Sequence, residues 1–497
     1  MQKTAYKISY KPTMEILSKT IKRLSEDEYK ALLESIAANK HSKPYIVLEA
    51  ARTKDYSDSQ MIDILQVNPS TYYTLKSRLN AKVASLLSKK VENPISVLMD
   101  EVARVPANLY GNSKEVSIRA LKELEKQLLE YDLSNELIVV YKALAQLHVY
   151  DQNDYDNYLK LYNKYVAYSL AFSKAENLYY QFIVKAGLYE LNRTEEDLEA
   201  VREIMREMNN ICELYTSHRL FVLYNIVHTY YIFMVTERPE ALQTKEIELD
   251  NTLQEIKNIF EKYPLDTFYT NMRFITDFLY FIYYQKTGNN VRAKHYYQKT
   301  QGSIVQISMQ SMLNFHVIQY LQAKASLAVS TNDNELLNAL NDELVNTIDI
   351  AKDEIYLYVY FQKYLAISLF YNGNYQETAR HLNQLRNNIN LKPYWHTDTE
   401  IKLFQALQYC IVGEEDLCMQ IINSISRNLR EDDNKEQYQN IKIFIKMCKS
   451  GFKSGEAKKK RARLASLYQE FKEVNTGHER MLGFLQLNDE LLGKMVH

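Results

Sequence analysis

Short polar breaks recur along the second half of this chain at a near-constant distance, and that spacing constrains the fold more than any other feature. With Gly288, Thr331, Gly373 and Gly413 as markers, successive breaks lie 43, 42 and 40 residues apart. The stretches between breaks carry helical patterns. In Glu195 to Leu214, the residues Leu198, Val201, Ile204, Met205, Met208 and Ile211 follow the alternating spacing that gathers side chains on one helix face. Ile118, Leu121, Leu124 and Leu128 do the same. A period near 40 holds two helices with their connections, and a pair that cannot bury its apolar faces alone must stack on its neighbours. Earlier breaks near residues 152, 193 and 238 continue the series less regularly, with Glu240 to Asp250 read as an inserted loop. The expectation is an all-α chain, an α-solenoid of about eight antiparallel helix pairs over residues 116–475 with a capping helix at 476–497.

Composition supports long helices. Only 11 Gly and 8 Pro occur in 497 residues, so few positions interrupt a helix. Five of the prolines (Pro12, Pro44, Pro69, Pro94, Pro106) precede residue 107, and no glycine precedes Gly111. That shift divides the chain into a small helical unit at residues 1–92, a linker at 93–115 and the repeats beyond. Hydrophobic residues make up 46% and charged residues 25%, a globular composition. The formal net charge of -1 gives no global field to attract nucleic acid or an anionic membrane. Leu220 to Val235 is the longest apolar stretch, and Asn225, His228 and Thr229 within it mark a buried helix rather than a membrane span. Cys212, Cys410, Cys418 and Cys448 lack CxxC spacing and read as small buried hydrophobes of a reducing, cytoplasmic compartment.

Three of the repeat units carry a recognisable pattern. Leu365, Ala366, Leu369, Gly373, Tyr375, Thr378 and Leu382 place large and small residues together on a first helix, then a turn glycine, then an aromatic, a small and a large residue on a second helix. Tyr284, Gly288, Ala293 and Tyr297 form a second copy, and Ala406, Tyr409, Gly413 and Cys418 a third. This resembles the tetratricopeptide repeat. The intervals here exceed the roughly 34 residues of that family's unit, and its closing proline is absent, which implies longer helices or connections. The resemblance implies a concave face lined by first helices. It places Phe278, Ile282 and Gln285 in one repeat, and Tyr360, Lys363, Ile367, Phe370 and Tyr371 in another, toward a bound protein or peptide; contact between neighbouring repeats is the competing role for the same residues.

The sharpest local signal lies before the repeats. Residues 56–82 read as a helix from Asp58 to Gln66, a turn at Val67 and Asn68, and a helix opened by Pro69. This resembles a degenerate helix-turn-helix, with Ile62 where such motifs favour alanine and Gln66 where they favour glycine. The resemblance puts Ser70, Thr71, Tyr72, Tyr73, Lys76 and Arg78 on a recognition helix facing DNA. Residues 1–91 hold 16 Lys plus Arg against 9 Asp plus Glu, enough positive charge for phosphate contacts. A polar cap on the array explains the same residues. A second basic cluster, Lys458 to Arg461 with Arg463, reads as a solvated helix face.

Signatures of catalysis are missing. The sequence has no HExxH, no GxGxxG and no phosphate loop, so no catalytic residue, metal or cofactor is assigned and an enzyme is not expected. Two functions stand: a protein-interaction scaffold binding a peptide or protein partner, and a transcriptional regulator joining a DNA-binding helix-turn-helix to a partner-sensing repeat domain.

Overall fold

The computed structural model of the protein describes residues 21–22, 29–30, 32–33, 42–53, 56–88, 94–236, 239–264, 266–431 and 438–497. Among them, helices are the only regular elements. The chain forms two compact units, residues 1–100 and 101–497.

In the first unit, α1 (Lys43–Thr53) packs on α2 (Asp58–Leu65) and α3 (Pro69–Ser88). Helix α2 starts at a capping box: the Gln60 amide donates to Ser57 Oγ (3.3 Å) and the Ser57 amide donates to Gln60 Oε1 (2.9 Å). It stops at Gln66, which takes a left-handed conformation (φ 47°). Asn68 Oδ1 then accepts from the Thr71 amide (2.8 Å), which opens α3. Val47, Leu48, Ala51, Met61, Leu65, Tyr72 and Leu79 form the core.

The stretch expected as a linker is helical. Helix α4 (Pro94–Gly111) runs through it with Pro106 inside, and the division between the units falls within this helix. Beyond it, helices follow in antiparallel pairs: α5 (Lys114–Glu130) with α6 (Ser134–Leu147), α7 (Gln152–Asn192) with α8 (Glu195–Leu214), and α9 (His218–Val235) with α11 (Glu246–Lys262). The expected inserted loop at Glu240 to Asp250 is the short helix α10 (Pro239–Gln243) and the start of α11. Then come α12 (Thr267–Lys286) with α13 (Asn290–Ser308), and α14 (Asn314–Thr331) with the broken pair α15 (Asn334–Asn338) and α16 (Asn341–Thr347). The last three pairs are α17 (Ile355–Tyr371) with α18 (Tyr375–Asn388), α19 (Trp395–Val412) with α20 (Glu415–Glu431), and α21 (Gln439–Gly451) with α22 (Ala457–Val474). Residues 476–497 are a 3-10 turn (Gly477–Glu479), an irregular extended stretch and the short α23 (Asp489–Lys494), rather than one capping helix.

The markers of the period are helix stops. Gly288, Gly373 and Gly413 sit at φ 74°, 79° and 88°, and Asn332, next to Thr331, at 54°. The small residues of the repeat pattern, Ala293, Ala366, Thr378, Ala406 and Cys418, are all buried where helices approach closely. First helices α9, α12, α14 and α17 pack on one another in succession. Among the described residues no helix is long and apolar enough to cross a membrane.

Candidate functional site

The face made by the first helices holds the molecule's densest chemistry, and the protein covers much of it with its own chain. Helix α7 is 41 residues long, with one glycine and no proline. Its Ala175, Leu178, Tyr179, Phe182, Ala186 and Tyr189 form a single buried stripe. That stripe lies against α9, α17 and α19. Tyr179 and Tyr230 hydroxyls hold the two ring nitrogens of His316 from α14 (2.6 and 2.8 Å), and burial pushes that imidazole down to about 3, so it is neutral. The Tyr360 hydroxyl donates to Glu190 O (2.9 Å) and Thr397 Oγ1 to Leu191 O (2.7 Å), which cap the last carbonyls of α7. Gly187 is what allows this approach: a Cβ there would stand 3.0 Å from the Tyr356 ring.

Residues 481–487 cross the same face further along, held by side chains that grip their main chain. The Tyr371 hydroxyl donates to Phe484 O (2.9 Å) and accepts from the Gln486 amide (3.0 Å). The Tyr468 hydroxyl repeats this one residue on, donating to Leu485 O (3.2 Å) and accepting from the Leu487 amide (3.0 Å). Asn475 pairs with both the amide and the carbonyl of Met481 (2.8 and 2.7 Å), and Glu400 Oε1 accepts from the Leu482 amide (2.9 Å). Met481, Leu482, Leu485, Leu487, Leu491, Leu492 and Met495 are buried. Each such side chain contributes about 1.5–3 kcal/mol when fully buried, so this segment is a fixed part of the fold.

Between these two covers lies a charged stretch. Lys363 Nζ pairs with Glu400, and Arg193 with Glu190. His396 is 6% exposed, and among the described residues its ring nitrogens make no hydrogen bond of good geometry, although the Arg480 main chain is near enough to favour the charged form. Burial is the main cause of its fall to about 4; Arg193 and Lys363 add to it and Glu400 opposes it. The Lys286 side chain, at the end of α12, is solvent-exposed and makes no ion pair or hydrogen bond among the described residues. Protein surrounds it on most sides all the same. Burial lowers its pKa, Glu190 raises it, and Arg193 and Arg480 lower it further.

The residues expected to meet a partner are placed differently. Phe278, Ile282, Tyr360, Ile367 and Phe370 are buried, so these five are interior rather than partner-facing. The reason is packing between neighbouring pairs: Phe278 lies 4.7 Å from Tyr320 and Phe370 5.6 Å from Phe404, centroid to centroid. Gln285, Lys363 and Tyr371 are half-buried and already bonded, to Ser326, Glu400 and the 484–486 main chain. Three cysteines that look scattered in the sequence, Cys410, Cys418 and Cys448, meet as buried neighbours on α19, α20 and α21, at small-residue positions where those helices cross. Among the described residues no set of His, Cys, Asp and Glu is arranged to hold a metal. Lys458, Lys459, Arg461 and Arg463 are exposed.

In the first unit, two of the expected DNA-facing residues point inward. Lys76 and Tyr72 are both 0% exposed. Lys76 Nζ donates to both oxygens of Asp58 (2.8 and 2.9 Å) and the Tyr72 hydroxyl to Oδ1 (3.0 Å). The ammonium is thus spent on tying α3 to the start of α2. Tyr73 is half-buried, Thr71 and Arg78 are exposed, and the Ser70 side chain lies outside the described residues. Thr74, which the motif did not single out, joins Thr71 and Arg78 on the exposed face.

No protein family, curated protein or solved structure matches the chain.

Proposed function

We propose that this chain is a non-enzymatic, tetratricopeptide-like scaffold that binds an acidic segment of a partner protein on the open part of its first-helix face. The observation that carries this reading is Lys286, an exposed cation with no ion pair or hydrogen bond among the described residues, beside Arg193 and Arg480. Four cations (Arg193, Lys286, Lys363, Arg480) meet two carboxylates (Glu190, Glu400) there, which leaves the stretch positive in a chain whose net charge is -1. The way Tyr371, Tyr468 and Asn475 hold residues 481–487 supports the reading, because it is main-chain recognition of a non-helical segment. The apolar residues of that segment are too well buried for a modest ligand to displace it.

Affinity capture with the full-length protein, compared with a Lys286→Glu/Arg480→Glu variant, tests this. The native chain is expected to retain a partner with an acidic segment, and the variant to lose about tenfold or more in affinity with its helical signal unchanged. Equal capture by both would reject this face as the site.

A second reading rests on Thr71, Thr74 and Arg78, which share an exposed face of α3 in a basic unit. As a transcriptional regulator, the protein would present that face to DNA. A gel shift of the full chain on genomic fragments is then expected to weaken steeply with salt and to disappear in Arg78→Glu. Absent or salt-insensitive binding would reject the regulator.

A further inference from the structure

Second helices α11 and α13 flank a furrow floored by α12. Lys257, Phe260 and Glu261 of α11, Pro264 of the connection that follows it, Arg273 and Asp277 of α12, and Lys299 of α13 line a cavity of about 440 Å³. Arg273 and Asp277 are one helical turn apart, and Tyr280 follows on the same face. Two of the three cations, Lys257 and Lys299, meet on one carboxylate. Asp277 Oδ1 accepts from Lys299 Nζ (2.8 Å) and lies 3.5 Å from Lys257 Nζ. Lys257 also sits 4.1 Å over the Tyr280 ring. Arg273 is fixed by Nη2, which donates to Phe260 O (2.6 Å) and Tyr263 O (3.4 Å), while its buried Nε has no hydrogen-bond partner among the described residues.

We propose that this furrow binds a small phosphomonoester, with the phosphate among Lys257, Arg273 and Lys299 and the organic part against Phe260 and Pro264. The number and spread of donors set the ligand class. Three cations meet two carboxylates in the lining, Asp277 and exposed Glu261, so one positive charge is left over, with Asp250 also acting on Lys257. A doubly charged group with several acceptor oxygens satisfies donors arriving from three helices better than a carboxylate does. The donors are already in place: Arg273 is anchored to main-chain carbonyls, and Lys257 is held between a ring and a carboxylate. Burial and nearby Lys299 together lower the Lys257 pKa despite Asp277, a tension that a bound anion relieves. The cavity size is that of a small-molecule site, and Phe260 and Pro264 supply its apolar wall. None of these residues belongs to the first-helix face proposed for a protein partner.

Calorimetric titration of the full-length protein at constant ionic strength tests the site with inorganic phosphate, phenyl phosphate and benzoate. Phenyl phosphate is expected to bind most tightly, phosphate more weakly, and benzoate least. Lys299→Gln, at a largely solvated position, is expected to weaken phenyl phosphate about tenfold without shifting the melting temperature of the free protein. Asp277→Asn is expected to tighten it, because the internal competitor for the two lysines is gone. Equal heats for all three anions and chloride, or unchanged binding in Lys299→Gln, would overturn the proposal. Should Asp277→Asn melt early, Lys299→Gln alone decides.

Discussion

Gly451→Ala is expected to release the C-terminal segment from the helices that hold it. A Cβ at Gly451 would stand 2.2 Å from Met495 O and 3.2 Å from the Cys410 sulfur. The nearer atom is main chain, so no rotamer change relieves the clash and α21 and α23 must move apart. The His497 amide, which donates to Gly451 O (3.1 Å), and buried Met495, Leu491 and Leu492 lose their seats together. A destabilisation of about 3 kcal/mol is expected in chemical denaturation, with early proteolytic loss of residues beyond 476. Gly302→Ala in α13, where nothing lies within 4 Å, is the control and is expected to stabilise by up to about 1 kcal/mol. Equal behaviour of the two variants would show that the segment is not docked against Gly451.

Lys324→Met is expected to stabilise the protein, and most strongly at low pH. Lys324 is 2% exposed, and its ammonium reaches Ala339 O, the Tyr364 hydroxyl (2.8 Å) and Asn341 Oδ1 (3.4 Å) but no carboxylate. Burial brings its pKa down from 10.5 to about 7. Below pH 7 the lysine is charged in both states, and the folded state carries the whole cost of burying that charge. Between pH 7 and 10.5 the folded protein has released the proton while the unfolded chain still holds it, so native stability rises with pH across that window. The shift corresponds to roughly 5 kcal/mol, and the acceptors that Met leaves unpaired take back about 1–3, so a net gain of about 3 kcal/mol is expected at pH 6. The gain should shrink toward pH 10. A difference in denaturation midpoint that is the same at pH 6 and pH 10 would show that the ammonium does not feel its burial.

The pairing of helices was legible because its signals are local. Gly288, Gly373 and Gly413 break the pattern where the backbone turns left-handed, and the apolar stripe of Leu198, Val201, Ile204, Met205 and Met208 is the stripe that α8 buries. What covers the first helices was not legible. The run from residue 153 to 186 contains neither glycine nor proline, which announces one long helix, but its resting place depends on partners such as Tyr360 and Thr397, 170 and 206 residues from Glu190 and Leu191. Lys76 looks like a surface charge until Asp58, 18 residues earlier, is brought beneath it. The furrow is half visible: Arg273 and Asp277 share a helix face in the sequence, whereas Lys257 and Lys299 join them only through packing.

Helix α7 also changes the mechanics of the array. Helical repeats ordinarily touch only their neighbours, so they stretch and fray like a spring, one coil at a time. Here a rigid strut ties α9 to α17 and α19, pairs far apart in the chain. Pulling on one coil therefore loads several others, and the elasticity of an open spring gives way to that of a braced beam. The same brace makes the fold depend on contacts of long sequence separation, which slows folding relative to an unbraced array of equal length.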